Sequence, residues 1–387
     1  MKKTLNLLII SGIMLIAFCS LTSCANVADN GNSIAYSGPF LQYDSLWAHA
    51  DSYPEKVEIH YAKGLKIDYR IHVFIMNPAL KNSIAEEFII KGDARKKRFI
   101  CTTALQLGNF EILGIEDRIV GMNSLKNVFS PKILSQLANR TTVKVGKEGN
   151  FDLEAVIAAK PDYIFVSASK FGGFESLREC GIPLIPHHGY RETDPLGQAE
   201  WIKLVGLLTG EAKRANAIFS DIERKYNDIK AKVKNLRIPD KQQPTILSGR
   251  QIRDGWYVMG GKSYMAKIFH DAGANYIFAN GGPVVNETGG IALDFESVYA
   301  RGMNADFWQT DGSFEGEFTL DVLKTEDDRY SQIAAFKKKH VLFCNFSQTP
   351  YRELGALEPH RILADFVKAL HPEILPEYTP KYYHIIR

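Results

Sequence analysis

The chain is poor in cysteine, with 5 in 387 residues, and no pair has CxxC or metal-finger spacing. That pattern gives no sign of a zinc ribbon or a redox dithiol. Surplus charge of one sign is also missing, since 47 Lys+Arg stand against 44 Asp+Glu, a formal +3. So even a balance offers no electrostatic footprint for a nucleic acid. HExxH, GxSxG and Walker-type phosphate motifs do not occur, which removes the common signatures of metalloprotease, hydrolase and nucleotidase chemistry. His188 and Glu192 are four apart, but Gly189 marks a loop between them, where helical spacing carries no meaning. What remains is an ordinary globular composition, 45% hydrophobic and 24% charged, long enough for two or three domains.

The first two dozen residues are a targeting segment and stand outside the fold. Lys2 and Lys3 precede an apolar stretch, Leu5 to Phe18, that is short against the roughly 20 residues of a membrane span. Leu21-Thr22-Ser23-Cys24 then resembles the lipobox of bacterial lipoproteins, which implies a signal peptide over 1–23 and acylation of Cys24. An ordinary signal peptide or an uncleaved helix is the alternative. Cys101, Cys180 and Cys344 remain, read as buried thiols; one disulfide is arithmetically open and unplaced.

Residues 24–40 read as a tether and 41–98 as an extension containing a β-hairpin. The alternation Val57-Glu58-Ile59-His60-Tyr61, a turn at Lys63-Gly64, and the run Leu65 to Val73 predict that hairpin, with His60 and His72 solvent-facing or sheet-packed. From Phe99 the pattern alternates short apolar strands with helices. Strands are expected at 99–101, 118–122, 163–166 and 182–185, and helices at 104–113 and 152–159, within a lobe spanning 99–194. Strand–helix alternation with short connections implies a mainly parallel sheet. Pro195 to Leu208 predicts one helix and Glu211 to Leu236 a longer one, a strut of roughly 35–40 Å, so 195–236 is a helical region. A second strand–helix lobe follows over 237–387.

The two lobes share a phrase. Phe151-Asp152-Leu153-Glu154-Ala155-Val156 leads to Pro161-Asp162-Tyr163, and Leu293-Asp294-Phe295-Glu296-Ser297-Val298 leads to Asp306-Phe307-Trp308. Together with Asn109-Phe110-Glu111-Ile112-Leu113-Gly114, Asp117 to Gly121, Trp256 to Met265 and Asp271-Ala272-Gly273-Ala274, this order resembles the substrate-binding proteins of bacterial ABC importers. The specific likeness is to the class that takes cobalamin, haem or ferric siderophores.

The resemblance implies a class III periplasmic-binding-protein fold: two α/β lobes with mainly parallel sheets, joined by one long helix, with the ligand in the cleft between them. It further implies that Glu154 and Glu296 dock onto an ABC permease that works with its ATPase. Either residue alone reads as a first-turn carboxylate favoured by the helix dipole; the matched pair points to docking.

Loops at the carboxyl ends of the strands would line the cleft. The candidate ligand contacts are Thr102, Thr103, Ser169, Lys170, Phe171, His187, His188, Tyr190, Arg191, Arg250, Trp256 and Tyr257. Aromatics there suit stacking on flat ligands and cations suit carboxylates. His187 or His188 is the candidate axial ligand to haem iron or corrinoid cobalt. The acidic, His-rich loop expected of zinc-binding relatives is absent. The expectation is a monomeric, non-enzymatic protein with no cofactor of its own, lipid-anchored and facing the periplasm of a Gram-negative envelope. Its ligand would be a metal chelate, a ferric siderophore ahead of haem and cobalamin. A relay or storage lipoprotein working without a permease is the alternative, and a chelatase-like enzyme on the same scaffold is a more distant one.

Overall fold

The computed structural model describes residues 47–68, 72–76, 84–90, 93–123, 128–147, 149–167 and 174–387. The signal segment, Cys24 and the tether lie outside them, as do Ser169, Lys170 and Phe171.

The extension forms a three-stranded antiparallel sheet of β1 (Leu65–Asp68), β2 (His72–Met76) and β3 (Ile84–Ile89). Alternation along β2 buries Val73 and Ile75 and leaves His72, Phe74 and Met76 on the other face. The expected hairpin is displaced. Residues 57–61 are not a strand, because their backbone finds a side-chain partner instead. Glu200 accepts the N–H groups of His60, Tyr61 and Ala62 at 2.9, 2.7 and 2.9 Å. Glu192 accepts those of Lys63 and Gly64 at 2.9 and 2.7 Å. His60 is exposed, and His72 is half-buried, 3.6 Å from Glu87.

The N-terminal lobe is a parallel sheet in the order β10-β9-β4-β5-β6. It comprises β4 (Phe99–Cys101), β5 (Ile119–Met122), β6 (Val143–Lys144), β9 (Tyr163–Val166) and β10 (Leu184–Pro186), with a small ribbon of β7 (Gly146–Lys147) and β8 (Asn150–Phe151). Burial on both faces explains why β4 and β9 read as continuous apolar runs. Among the described residues four helices belong to it: α1 (Ala104–Leu113), α2 (Pro131–Ala138), α3 (Leu153–Ala159) and α4 (Glu175–Glu179). Thr103 and Gln106 close a capping box at the start of α1.

The expected single helix after Pro195 is two, α5 (Pro195–Glu200) and α6 (Ile202–Thr209), parted at the buried Trp201. Gly210, at φ 77°, ends α6 in a left-handed turn. The chain then enters α7 (Ala212–Asn235), whose 24 residues rise about 36 Å. Ala215, Ile218, Phe219, Ile222, Tyr226 and Val233 form one buried stripe along it. Near one end Arg214 donates to the Leu113 carbonyl of α1 at 2.7 Å. Farther along, the Tyr226 hydroxyl donates to Asp271 at 2.9 Å. Both lobes are thus tied to the same rod.

The C-terminal sheet has the order β14-β11-β16-β17-β18, parallel except for β18. Its strands are β11 (Thr245–Ser248), β14 (Asn275–Tyr276), β16 (Phe307–Gly312), β17 (Val341–Asn345) and β18 (His384–Ile385). A second, antiparallel sheet of β12 (Arg250–Ile252), β13 (Gly255–Met259) and β15 (Gly290–Leu293) hangs from the carboxyl end of β11. The helices are α8 (Tyr264–Asp271), α9 (Phe295–Gly302), α10 (Leu320–Glu326), α11 (Ala334–Lys337), α12 (Tyr351–Leu354) and α13 (Pro359–Leu370). Cys101, Cys180 and Cys344 are free thiols; the first and last are buried, while Cys180 is only half-buried.

Candidate functional site

Where the lobes meet follows from what comes after each strand. Glu353 of α12, which follows β17, accepts the backbone N–H of Phe129 with both carboxylate oxygens at 3.2 Å. Phe129 lies beyond the carboxyl end of β5. Gly108 of α1, which follows β4, faces the Glu353 backbone so closely that a Cβ there would overlap the carbonyl oxygen. The carboxyl ends of the two parallel sheets therefore face one another, which is where open α/β sheets place ligand sites.

On the N-terminal side several expected contacts are committed to the local fold. Thr102 is buried, and its hydroxyl donates to the Phe165 carbonyl at 3.0 Å. Thr103 is half-buried and caps α1. His187 corrects the expectation of a metal-reaching imidazole. It is 1% exposed, its ring 4.8 Å from that of Trp201 and edge-on to Phe165. Burial, with His188 beside it, pulls its pKa down to about 3. His188 is also buried, and burial plus the Arg191 charge lowers its pKa to about 4. Both rings lie toward Trp201, whose indole donates to Glu192 at 3.1 Å beneath the Lys63-Gly64 turn. Tyr190 and Arg191 are exposed, and Arg191 donates to the Tyr190 hydroxyl at 3.0 Å.

On the C-terminal side, strand alternation separates two adjacent aromatics. Trp256 is fully buried against Trp308, Tyr330 and Phe295, and donates to the Ser248 carbonyl at 3.0 Å. It is a core residue, which corrects its assignment to the cleft. Tyr257, next along β13, faces the other way and is 45% exposed, paired across the ladder with Arg250. Arg250 is engaged, its guanidinium on Glu326 and on the Asp311 carbonyl.

Phe346, just past β17, and Arg352 of α12 lie together on this side. Phe346 donates its backbone N–H to the Gly312 carbonyl at 2.7 Å and stacks on Tyr351 with centroids 5.4 Å apart. The Arg352 guanidinium lies over the Phe346 ring, 4.8 Å from its centroid. Arg352 was invisible in sequence because nothing local marks Pro350-Tyr351-Arg352-Glu353 as part of a wall. Among the described residues no group of three His, Cys, Asp or Glu side chains is placed to hold a metal ion.

Glu154 and Glu296 occupy equivalent places. Each is in the first turn of a helix, α3 or α9, capped by Asp152 or Asp294 accepting from the residue three positions on. Each helix runs directly into the next strand, which puts its first turn on the carboxyl-end side of its sheet. Both are exposed; Glu296 lies 3.4 Å from Arg329. At the opposite, amino end of the N-terminal sheet, a cavity of about 620 Å³ separates β3 from the edge strand β10.

Known proteins share this architecture. A haem-binding periplasmic protein of Pseudomonas aeruginosa superposes with a TM-score of 0.58 at 18% identity, over 74% of this chain and 96% of its own. An Fe3+-hydroxamate transport-system protein of Saccharomonospora viridis gives 0.56 at 16%, over 79% of this chain and 100% of its own. A lipoprotein of Methanocaldococcus jannaschii is 26% identical over 287 residues, 71% of this chain; the chain spans 65% of that relative's length. Residues 100–347 match the Periplasmic binding protein family, and with the two-lobed fold in agreement the chain belongs to that family.

Proposed function

We propose that this protein is the lipid-anchored receptor of an ABC importer, holding a metal chelate between its lobes and delivering it to the permease. The observation that supports the reading is the meeting of the two sheets' carboxyl ends at Glu353 and Phe129; the exposed Tyr257, Tyr190 and Arg191, with Arg352 over Phe346, would contribute the ligand contacts. Aromatic faces and guanidinium groups suit a ligand with flat apolar parts and oxygen acceptors. A ferric siderophore is the first candidate, with haem and cobalamin behind it. Acylation at Cys24 would hold the body at the membrane, facing the periplasm, and Glu154 and Glu296 would meet arginines of the permease.

The test is calorimetric titration of the full-length acylated protein in detergent with haem, cyanocobalamin and several ferric siderophores. Saturable binding of one compound supports the receptor reading, and no binding to any removes it. Import by cells carrying Glu154→Arg with Glu296→Arg then separates delivery from relay. Lost import with retained affinity supports docking, whereas unchanged import removes the docking roles and favours a relay or storage lipoprotein.

A further inference from the structure

We infer that the gap between β3 and β10 takes up an extended, basic peptide segment of a partner protein, added as a strand between the two sheet edges. This surface lies apart from the cleft, and β3 precedes the residues that match the family. β3 and β10 are each the last strand of their sheet and do not pair with one another.

The register shows which backbone groups face the gap. The Met76 N–H donates to the Gly64 carbonyl at 2.9 Å, so His72, Phe74 and Met76 turn their backbone groups toward β1, and Val73 and Ile75 turn theirs toward β3. Phe88 and Glu86 answer them, which leaves the N–H and C=O of Glu87 and Ile89 pointing away from the sheet. On the other side Ile164 donates to the Pro183 carbonyl at 3.0 Å, and Val166 accepts from His187 at 2.8 Å. Leu184 therefore turns its N–H and C=O outward, and Pro186 its C=O. No backbone bond joins these outward groups to a described residue. An uncovered strand edge is a template for another chain, and here two of them flank one cavity of about 620 Å³.

The lining sets the chemistry of the occupant. Phe88, Tyr163, Leu184 and Ile185 supply apolar surface for alternate side chains of an added strand. Glu86 and Glu87 share the rim with a single guanidinium, that of Arg178, which lies 3.3 Å from Glu86. Glu87 is left with His72 at 3.6 Å. Two carboxylates against one guanidinium give a negative rim, which suits a lysine of the incoming strand.

The experiment uses the full-length acylated protein in detergent and three short, end-blocked, dye-labelled peptides. One alternates valine and lysine, one has glutamate in place of lysine, and one is a valine–lysine peptide interrupted by prolines that remove its N–H groups. Anisotropy is read against micelles alone. Only the first peptide is expected to bind saturably, and hydrogen exchange should then slow in 84–89 and around Leu184, not in the cleft loops. Glu87→Lys is expected to weaken binding about 10-fold or more. Ile89→Pro removes one outward N–H without touching the bonds to β2, and should weaken binding as well. Melting of each variant identifies a folding defect, and Glu87→Lys carries the test if Ile89→Pro does not fold. Absence of binding by the valine–lysine peptide would overturn the inference, as would equal binding of the proline-containing one or an affinity that folded variants leave unchanged. Protection of 84–89 that grows with protein concentration in the absence of peptide would assign the edges to a second copy of the chain and overturn it too.

Discussion

Glu353 of the C-terminal lobe and Phe129 of the N-terminal lobe, 224 positions apart, are joined by the carboxylate of one and the backbone N–H of the other. The carboxylate is 1% exposed, and burial raises its pKa to about 7. A folded-state pKa above the usual carboxylate value means that folding penalises the charged form. The penalty is absent below about pH 4.5, grows as pH rises, and is complete above about 7. Glu353→Gln should therefore gain stability relative to wild type at pH 8 but not at pH 5, by at most about 3 kcal/mol. Denaturant unfolding at the two pH values checks this, and an equal difference at both would sink it.

Gly108 is the other half of that seam. Gly108→Ala places a methyl group against the Glu353 carbonyl, so α1 and α12 must separate. Overpacking of this kind costs about 1–3 kcal/mol. A lower Tm together with weaker ligand binding is expected, because the lobes lose their set spacing. A variant with wild-type Tm and affinity would show that the seam yields freely.

Glu200 anchors the extension. Its carboxylate serves three backbone N–H groups and also pairs with Lys203 at 2.9 Å; the Ala62 and Lys203 contacts are buried and those to His60 and Tyr61 partly so. Removing one partner of a buried ion pair costs about 3–5 kcal/mol. Glu200→Ala should release residues 57–64 first, read as faster hydrogen exchange and protease cutting there before the rest of the body opens. Uniform loss of protection across the molecule would show instead that the extension and the lobes unfold as one unit.

Trp256 and Tyr257 should part company on substitution. Trp256→Phe leaves the Ser248 carbonyl without its indole donor and is expected to cost about 1–3 kcal/mol of stability with ligand affinity little changed. Tyr257→Ala should do the reverse. Thermal melts and ligand titrations of both variants decide it; affinity lost through Trp256→Phe alone would return that residue to the cleft.

Much of the fold was legible because its signals are local. Short apolar runs flanked by polar or charged residues marked β4, β9 and β17, and the Asp caps with their following first turns marked α3 and α9. Those patterns act over four residues or fewer, so a sequence displays them whole. The hairpin expected at 57–73 failed for the opposite reason. Residues 60–62 have strand-like alternation, but their hydrogen-bond partner is a carboxylate on α5, 138 positions from Ala62.

The amino-acid order by itself therefore determined the α/β alternation, the place of the long helix, the matched pair Glu154 and Glu296 and the family. Tertiary structure alone decided which of the candidate side chains are buried and which are exposed. His187 and Trp256 look like ligand groups in sequence and are enclosed by Trp201 and by Trp308 with Tyr330, respectively. Arg352 looks unremarkable and is brought over the Phe346 ring of the C-terminal lobe. Exposure and charge compensation depend on which distant segments are brought alongside, and that is settled only when the lobes pack.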